Sequence, residues 1–225
     1  MWCVPSIDRK FIDCMEDVLR LYARPLSEDE PVACLDERPV RLHDPARPST
    51  PMAPGRLQRV DYEYVRRGTA NIFCIVEPGA GRHLSHATRN RKGPMFAKAL
   101  RRLARRHKKA KRIHLVVDNL NTHCEKSLID AFGAEEGRKL WRRFKVHRTP
   151  KHASWLNAAE LECSLVAREC LGRRRIGDLD TLVREVCTWN ADADRARRAI
   201  NWKFRVADAR RVFRYDGITT PRSRH

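Results

Sequence analysis

The sequence predicts an α/β domain built on an open mixed sheet, and three observations carry that expectation. Short apolar runs of strand length come early, stretches with apolar residues at three- and four-residue spacing then alternate with further strands, and two apolar runs stop on an aspartate. At 225 residues, 42% of them apolar, the chain is long enough for one sizeable core, and one domain is the simpler expectation.

Residues 6–25, "SIDRKFIDCMEDVLRLYARP", place Phe11, Met15, Val18, Leu19 and Tyr22 on one face of a helix that stops before Pro25. In "PVACLDERPVRLH" the run Val32 to Leu35 is a buried strand ending at Asp36. The stretch after it, with Pro45, Pro48, Pro51 and Pro54, excludes a helix or a central strand. "RVDYEYVRR" and "TANIFCIVEP" follow as strands around an Arg67-Gly68-Thr69 turn, and "RHLSHATR" as a strand after the Pro78-Gly79-Ala80-Gly81 turn.

"GPMFAKALRRLARRHKK" begins with Pro94 at a helix N-terminus and sets Met95, Phe96, Leu100 and Leu103 against the core, with arginines outward. "IHLVV" is the next strand and ends on Asp118. "CEKSLIDAFGAEEGRKLWRRF" is helical in two parts around Gly133, and "KVHRTP" is a short strand into Pro150. "HASWLNAAELECSLVARECL" reads as one long helix, and "DLDTLVREVCTWNADADR" as another with Asp178 as its N-cap.

The net charge is +19 and unevenly spread. From Pro78 to Val117 there is no acid, while Arg82, Arg89, Arg91, Lys92, Lys98, Arg101, Arg102, Arg105, Arg106, Lys108, Lys109, Lys111 and Arg112 are all basic. A weaker basic run covers residues 195–214. Such patches meet phosphates, because counterion release from a polyanion drives binding whatever its sequence. A solvated, arginine-rich helix face is the plainer alternative. A membrane surface fits less well, since no broad Trp, Phe and Leu face accompanies the charge.

No stretch has the length or apolarity of a membrane span, and the charged start "MWCVPSIDRKFIDC" lacks the apolar core of a signal peptide. A cytosolic location follows as an expectation. Cys3, Cys14, Cys34, Cys74, Cys124, Cys163, Cys170 and Cys187 form no C-x-x-C pair, so they read as small core residues in a reducing compartment. Cys124 beside His123 resembles a metal pair or a nucleophile only superficially.

Ligands of an open sheet bind beyond the carboxyl ends of its strands, so Asp36 and Asp118 are expected to converge there. Glu160 on the long helix, three residues after Asn157 and on its face, completes an acidic triad, whereas Glu162 points away. Trp155, Leu156, Leu161 and Leu165 are expected to hold the opposite face to the core. Two Asp and one Glu suit hard divalent ions, Mg²⁺ or Mn²⁺. Two such ions, about 3.5–4 Å apart, activate a water or hydroxyl and stabilise the leaving oxygen in phosphodiester chemistry. Each acid alone has a plainer reading: Asp118 as a helix cap or turn residue, Asp36 in a surface ion pair with its neighbours, Glu160 as an exposed helix residue.

"CLDERPVRL", "PMAPGRLQRVDYEYVRRGTANIFCIVEPGAGR", "HLVVDNLNTH" and "TPKHASWLNAAELECSLVARECLGRR" together closely resemble the catalytic domain of DDE transposases, in the bacterial insertion-sequence branch of the mariner superfamily. The likeness runs from near residue 2 to near residue 213. It implies a ribonuclease-H-like fold, a mixed five-stranded sheet flanked by helices, and a catalytic metal triad of Asp36, Asp118 and Glu160 holding two Mg²⁺ or Mn²⁺ ions. Asn119, Asn121 and His123 match the family's stretch after the second acid, and His152 and Asn157 the block before the third; the resemblance implies that they shape the site or touch DNA rather than react. Arg89, Arg91, Lys92, Arg101, Arg105, Lys108 and Lys109 are the residues expected on the DNA backbone.

The implied organisation is an N-terminal helix and linker (1–30), a catalytic core (31–177) and a C-terminal helical extension with a basic tail (178–225). In relatives a loop at the position of residues 45–60 contacts the partner subunit, so a homodimer on DNA is expected. The second and third acids lie further apart than in the best-known mariner relatives, through "AFGAEEGRKLWRRF". The family's helix-turn-helix module, which recognises transposon ends, is expected to be missing or supplied by a separate protein. The function implied is metal-dependent DNA strand cleavage and transfer during transposition, at the bacterial nucleoid. The alternatives are an inert DNA-binding remnant of a disrupted insertion sequence, or a host nuclease of the same fold.

Overall fold

The computed structural model describes residues 7–57, 59 and 61–215; Cys3, Val60 and the basic tail past residue 215 lie outside them. The sheet has the order β3-β2-β1-β5-β6, with β4 also paired to β2, so that six strands fill five positions. β1 (Val32–Pro45) runs parallel to β5 (Ile113–Val117) through Val32–Cys34, and β5 parallel to β6 (Phe144–Arg148). β2 (Tyr64–Glu77) is antiparallel to β1, and β3 (Arg82–His83) and β4 (His86–Thr88) are antiparallel to β2. This is the mixed sheet expected.

β3 and β4 are the two halves of the strand expected over residues 82–89, broken at Leu84 and Ser85. The Ser85 hydroxyl accepts the Ile75 N–H at 3.1 Å. Its own N–H goes to Asn190 Oδ1 at 2.6 Å, and the His83 N–H goes to Asp194 Oδ1 at 2.9 Å. Both acceptors lie on one face of α6 (Leu179–Ala196), so side chains of a helix satisfy donors that a further strand would otherwise have taken.

The turn expected at Arg67-Gly68-Thr69 does not form, because β2 runs straight through it. Gly68 sits opposite Leu42 at φ +107°, and the register slips between Leu42 and His43, leaving Arg67 as the extra residue of a β-bulge. Turns and bulges both use a glycine at positive φ, so the local sequence is the same for either. The real connection from β1 to β2 is the proline-rich segment, which is tied by isolated bridges Thr50–Arg59 and Ala53–Arg56.

Helices cover both faces. α1 (Arg9–Tyr22) is capped by Asp8, whose carboxylate accepts the Phe11 N–H at 2.7 Å, and buries Met15, Val18 and Leu19. On that face it joins Cys34 and Val116 of the sheet, Leu156, and α7 (Val206–Phe213), a short helix the sequence reading did not separate from its basic run. α2 (Gly93–Arg106) starts with Pro94 as expected and buries Phe96, Leu100 and Leu103 on the opposite face, against Leu35, Phe73, Leu115 and Val117. α3 (Glu125–Phe132) and α4 (Ala134–Trp141) break at Gly133, where φ is +86°. Asp178 caps α6 as expected, taking the Thr181 N–H at 2.7 Å.

The single long helix expected over 152–171 is three pieces: a 3-10 turn at Ser154–Leu156, α5 (Ala159–Leu165) and a π-helical run at Val166–Leu171. Asn157 is extended (φ −80°, ψ 109°), which ends the first turn before α5 can begin. The face expected to be apolar is also misread, because Leu161 is 47% exposed while Glu162 is fully buried beside Cys163 and Val166. Asp36, likewise, does not end its strand. β1 continues to Pro45 along β2, and only its pairing with β5 stops short, at Cys34.

Candidate active site

The parallel register Cys34↔Val116, extended by two residues, sets Asp36 beside Asp118 at the point where β5 ends and β1 continues alone with β2. Side chains alternate along a strand, so both acids share the face of Cys34 and Val116, the one covered by α1 and α5. Glu160 is the second residue of α5, and the start of that helix is tied to the strand. Asn157 Nδ2 donates to the Leu35 carbonyl at 2.9 Å, while its Oδ1 accepts the Ala159 N–H at 3.2 Å. Tyr22 adds a second anchor from α1, its hydroxyl donating to the Leu156 carbonyl at 2.9 Å and accepting the Ala158 N–H at 3.1 Å.

The carboxylates interact. Burial pushes the Asp36 carboxyl up to about 7, against the help of the Glu37 N–H, and the charges of Glu160, Glu37 and Asp118 push it the same way. Asp118 is held below the usual carboxylate range. Its burial opposes the charge, but the His123 hydrogen bond at 2.9 Å, the Leu120 N–H at 3.1 Å and the Arg148 charge outweigh it.

His123 is fully buried between two acids, Nδ1 on Asp118 and Nε2 on Glu37 at 2.7 Å, with its ring 4.6 Å from that of Phe96. Burial lowers its affinity for a proton, yet bonds to Asp118 and Glu37 lift it to about 9. At neutral pH it is therefore a buried imidazolium that fixes the Asp118 carboxylate. Arg148 closes the loop by donating to the carbonyls of Asp118 (3.2 Å) and His123 (2.5 Å).

Of the other residues singled out, Asn119 ties the loop to β6 by donating to the Thr149 carbonyl at 2.7 Å. Asn121 is exposed, and His152 is exposed in a left-handed turn at φ +60°. Sequence reasoning missed Glu37, which looked like part of a surface ion pair but whose side chain is 1% exposed and holds His123. It also missed what Glu162 does. That carboxylate accepts from Ser85 Oγ and pairs with His83 Nδ1, both at 2.8 Å, joining α5 to the broken edge strand. The signal for Glu37 was its alternation: with Asp36 on one face of β1, Glu37 falls on the face of Leu35, which is core.

The seven basic residues expected on DNA are all exposed but stand apart. α2 returns antiparallel to β5, so Arg89, Arg91 and Lys92 lie at its N-terminal end, where Phe96 meets His123. Arg105, Lys108 and Lys109 lie at the opposite end of the sheet, and Arg101 stands between, its guanidinium 4.1 Å above the Phe132 ring. Among the described residues no group of three His, Cys, Asp or Glu forms a ready metal cluster, and no helix is long and apolar enough to cross a membrane.

The fold is that of ribonuclease-H-like transposase catalytic domains. It is similar to the Mos1 mariner paired end complex with Mn at a TM-score of 0.55, with 14% identity, 88% of this chain and 60% of that chain covered. A pre-cleavage Mos1 transpososome matches at 0.54, with 13% identity over 85% and 58% of the two chains. The mariner Mos1 paired end complex with Mg matches at 0.53, with 14% identity over 86% and 58%. The chain thus spans about 60% of the length of the solved structures it resembles. No curated protein matches it. Residues 31–183 match the model of the DDE superfamily endonucleases, and the chain belongs to that family.

Proposed function

We propose that this chain is the catalytic part of a DDE-type transposase, cutting and transferring DNA strands with divalent metal ions. One observation carries the reading: Asp36 and Asp118 lie side by side where β5 ends, and Glu160 is close enough to raise the Asp36 carboxyl further. These donors are all oxygen, which fits Mg²⁺ or Mn²⁺, and Asp36, Asp118 and Glu160 would hold one or two such ions. Bound there, the metal would sharpen an attacking water or hydroxyl and offset charge on the leaving oxygen.

The chain's own residues do the positioning. His123 keeps one Asp118 oxygen engaged and leaves the other to face the site. Asn157 and Tyr22 fix the first turn of α5, and with it Glu160. Arg89, Arg91 and Lys92 flank this end of the sheet and would hold the phosphates of transposon-end and target DNA. Recognition of the end sequence would come from a helix-turn-helix segment elsewhere in the protein or on a partner, and the site of action would be the bacterial nucleoid.

The test is nicking of supercoiled or transposon-end DNA with Mg²⁺ or Mn²⁺, with any recognition module supplied. Asp118→Asn is expected to lose more than the roughly 10–100-fold that removal of an outer metal partner costs. Equal activity in the two proteins would end the assignment.

The segment between β1 and β2 exposes Met52 (72%), Leu57 (86%) and Tyr62 (85%), large apolar groups on a proline-rich arm. It would pack on a second copy in a homodimer on DNA. Deleting residues 45–60 is expected to convert the DNA-bound dimer to monomer by light scattering. An unchanged mass would exclude this role.

A further inference from the structure

A cavity of about 960 Å³ lies at the far end of the sheet from the acids. Val32 lines it, and four residues of β1, about 13 Å, separate Val32 from Asp36. Seven Lys or Arg line it against three Glu. The glutamates are largely occupied. Glu77 is buried against His107 at 2.8 Å, and Glu30 pairs with Arg24. Arg105, Lys108 and Lys109 have no ion-pair partner among the described residues, although all three are exposed at its rim.

The walls are divided in character. One is basic, formed by the end of α2. The other is apolar and aromatic: Leu26, Pro78, Ile200 and Trp202, whose ring lies 4.9 Å from that of Tyr22. A helix C-terminus would normally repel an anion through its free carbonyls. Here Arg143 covers part of that end, donating to the carbonyls of Ala104 in the last turn (2.9 Å), of the capping residue His107 (2.5 Å) and of Ala110 just beyond it (3.5 Å). Two buried donors of the lining residues, Arg82 Nε and Trp202 Nε1, find no acceptor among the described residues.

We propose that this cavity is a nucleotide site, separate from the triad, that takes a base or sugar against Trp202 and Leu26 and its phosphates on Arg105, Lys108 and Lys109. A concavity of this size fits a ligand of nucleotide dimensions rather than a duplex, and a stacking surface beside unpaired cations is the arrangement that holds unpaired nucleotides. The same chemistry is offered by a free nucleoside diphosphate and by an unpaired nucleotide within a DNA strand.

The experiment compares three full-length proteins: the parent, the triple variant Arg105→Ser, Lys108→Ser and Lys109→Ser, and a control, Lys139→Ser, Arg142→Ser and Lys145→Ser, which removes equal charge from the exposed surface around α4 and β6. Binding is read by anisotropy of labelled dT12 and by calorimetry with ADP, after circular dichroism confirms equal folding. The cavity variant is expected to lose at least about 10-fold in affinity for one probe or both, and the control less than about 3-fold. Loss confined to dT12 assigns the site to a DNA strand, and loss that includes ADP to a free nucleotide. Equal losses in both variants, or no binding of either probe by the parent, would overturn the proposal. Trp202→Phe should weaken the bound probe while leaving its salt dependence unchanged, which separates stacking from charge.

Discussion

Asp36→Asn is expected to abolish metal-dependent nicking and, in protein free of divalent ions, to raise the melting temperature at pH 7.5 by a few degrees. The reason is linkage. In the folded chain the Asp36 carboxyl titrates at about 7, against an ordinary value of 3.8. Between those values the folded protein holds a proton that the unfolded chain has released, so stability is fully present below about pH 4 and is lost as pH rises through about 7. Asparagine removes that loss, and with it the repulsion from Glu160, Glu37 and Asp118. Thermal melts from pH 4 to 8 should therefore slope less in the variant, and Mg²⁺ should stabilise the parent more than the variant. Parallel slopes would show that neither burial nor the neighbouring carboxylates lift the Asp36 carboxyl out of its ordinary range.

The second large effect is on folding. Glu162→Ala is expected to cost about 3–5 kcal/mol, the scale for removing one member of a buried polar pair. It would strand His83, whose Nε2 already lacks a hydrogen-bond partner among the described residues, and leave the Ser85 hydroxyl without its acceptor. Glu162→Gln, which keeps an acceptor, should lose less. Urea denaturation reads both, and a Glu162→Ala midpoint within error of the parent would refute the account. The consequence for the site is direct, because Glu162 and Glu160 share one short helix, and the buried acid fixes the rotation that presents the outer one.

That pair shows where the sequence was legible and where it was not. The apolar runs of β1, β2 and β5, the break at Gly133 and the Asp178 cap all follow from local chemistry, and the structure has them. The segment around Glu160 does not. Asn157 looked helical by spacing, yet its amide is drawn off by the Leu35 carbonyl, a partner 122 residues away. The outward turn of Leu161 likewise depends on His83 and Ser85 being there to receive Glu162. The same holds for Gly68, where only the register with Leu42 distinguishes a bulge from a turn. Long-range partners decided each case, and periodicity contains no information about them. His123 was singled out by its neighbours in sequence, but Glu37, which holds the opposite ring nitrogen from Asp118, became visible only with the strand's two faces resolved.

The broken edge formed by β3 and β4 bears on how copies of this chain can meet. Backbone donors that would recruit a neighbouring strand are committed at His83 and Ser85 to Asp194 and Asn190, and Arg106 clamps Asp194 from behind at 2.7 Å. Sheet-to-sheet docking, the default route by which exposed edges find one another and polymerise, is shut on this side. Contacts between copies across this side must therefore be made by side chains rather than by a shared ladder of backbone bonds, which makes them contacts that can be undone without tearing a sheet apart.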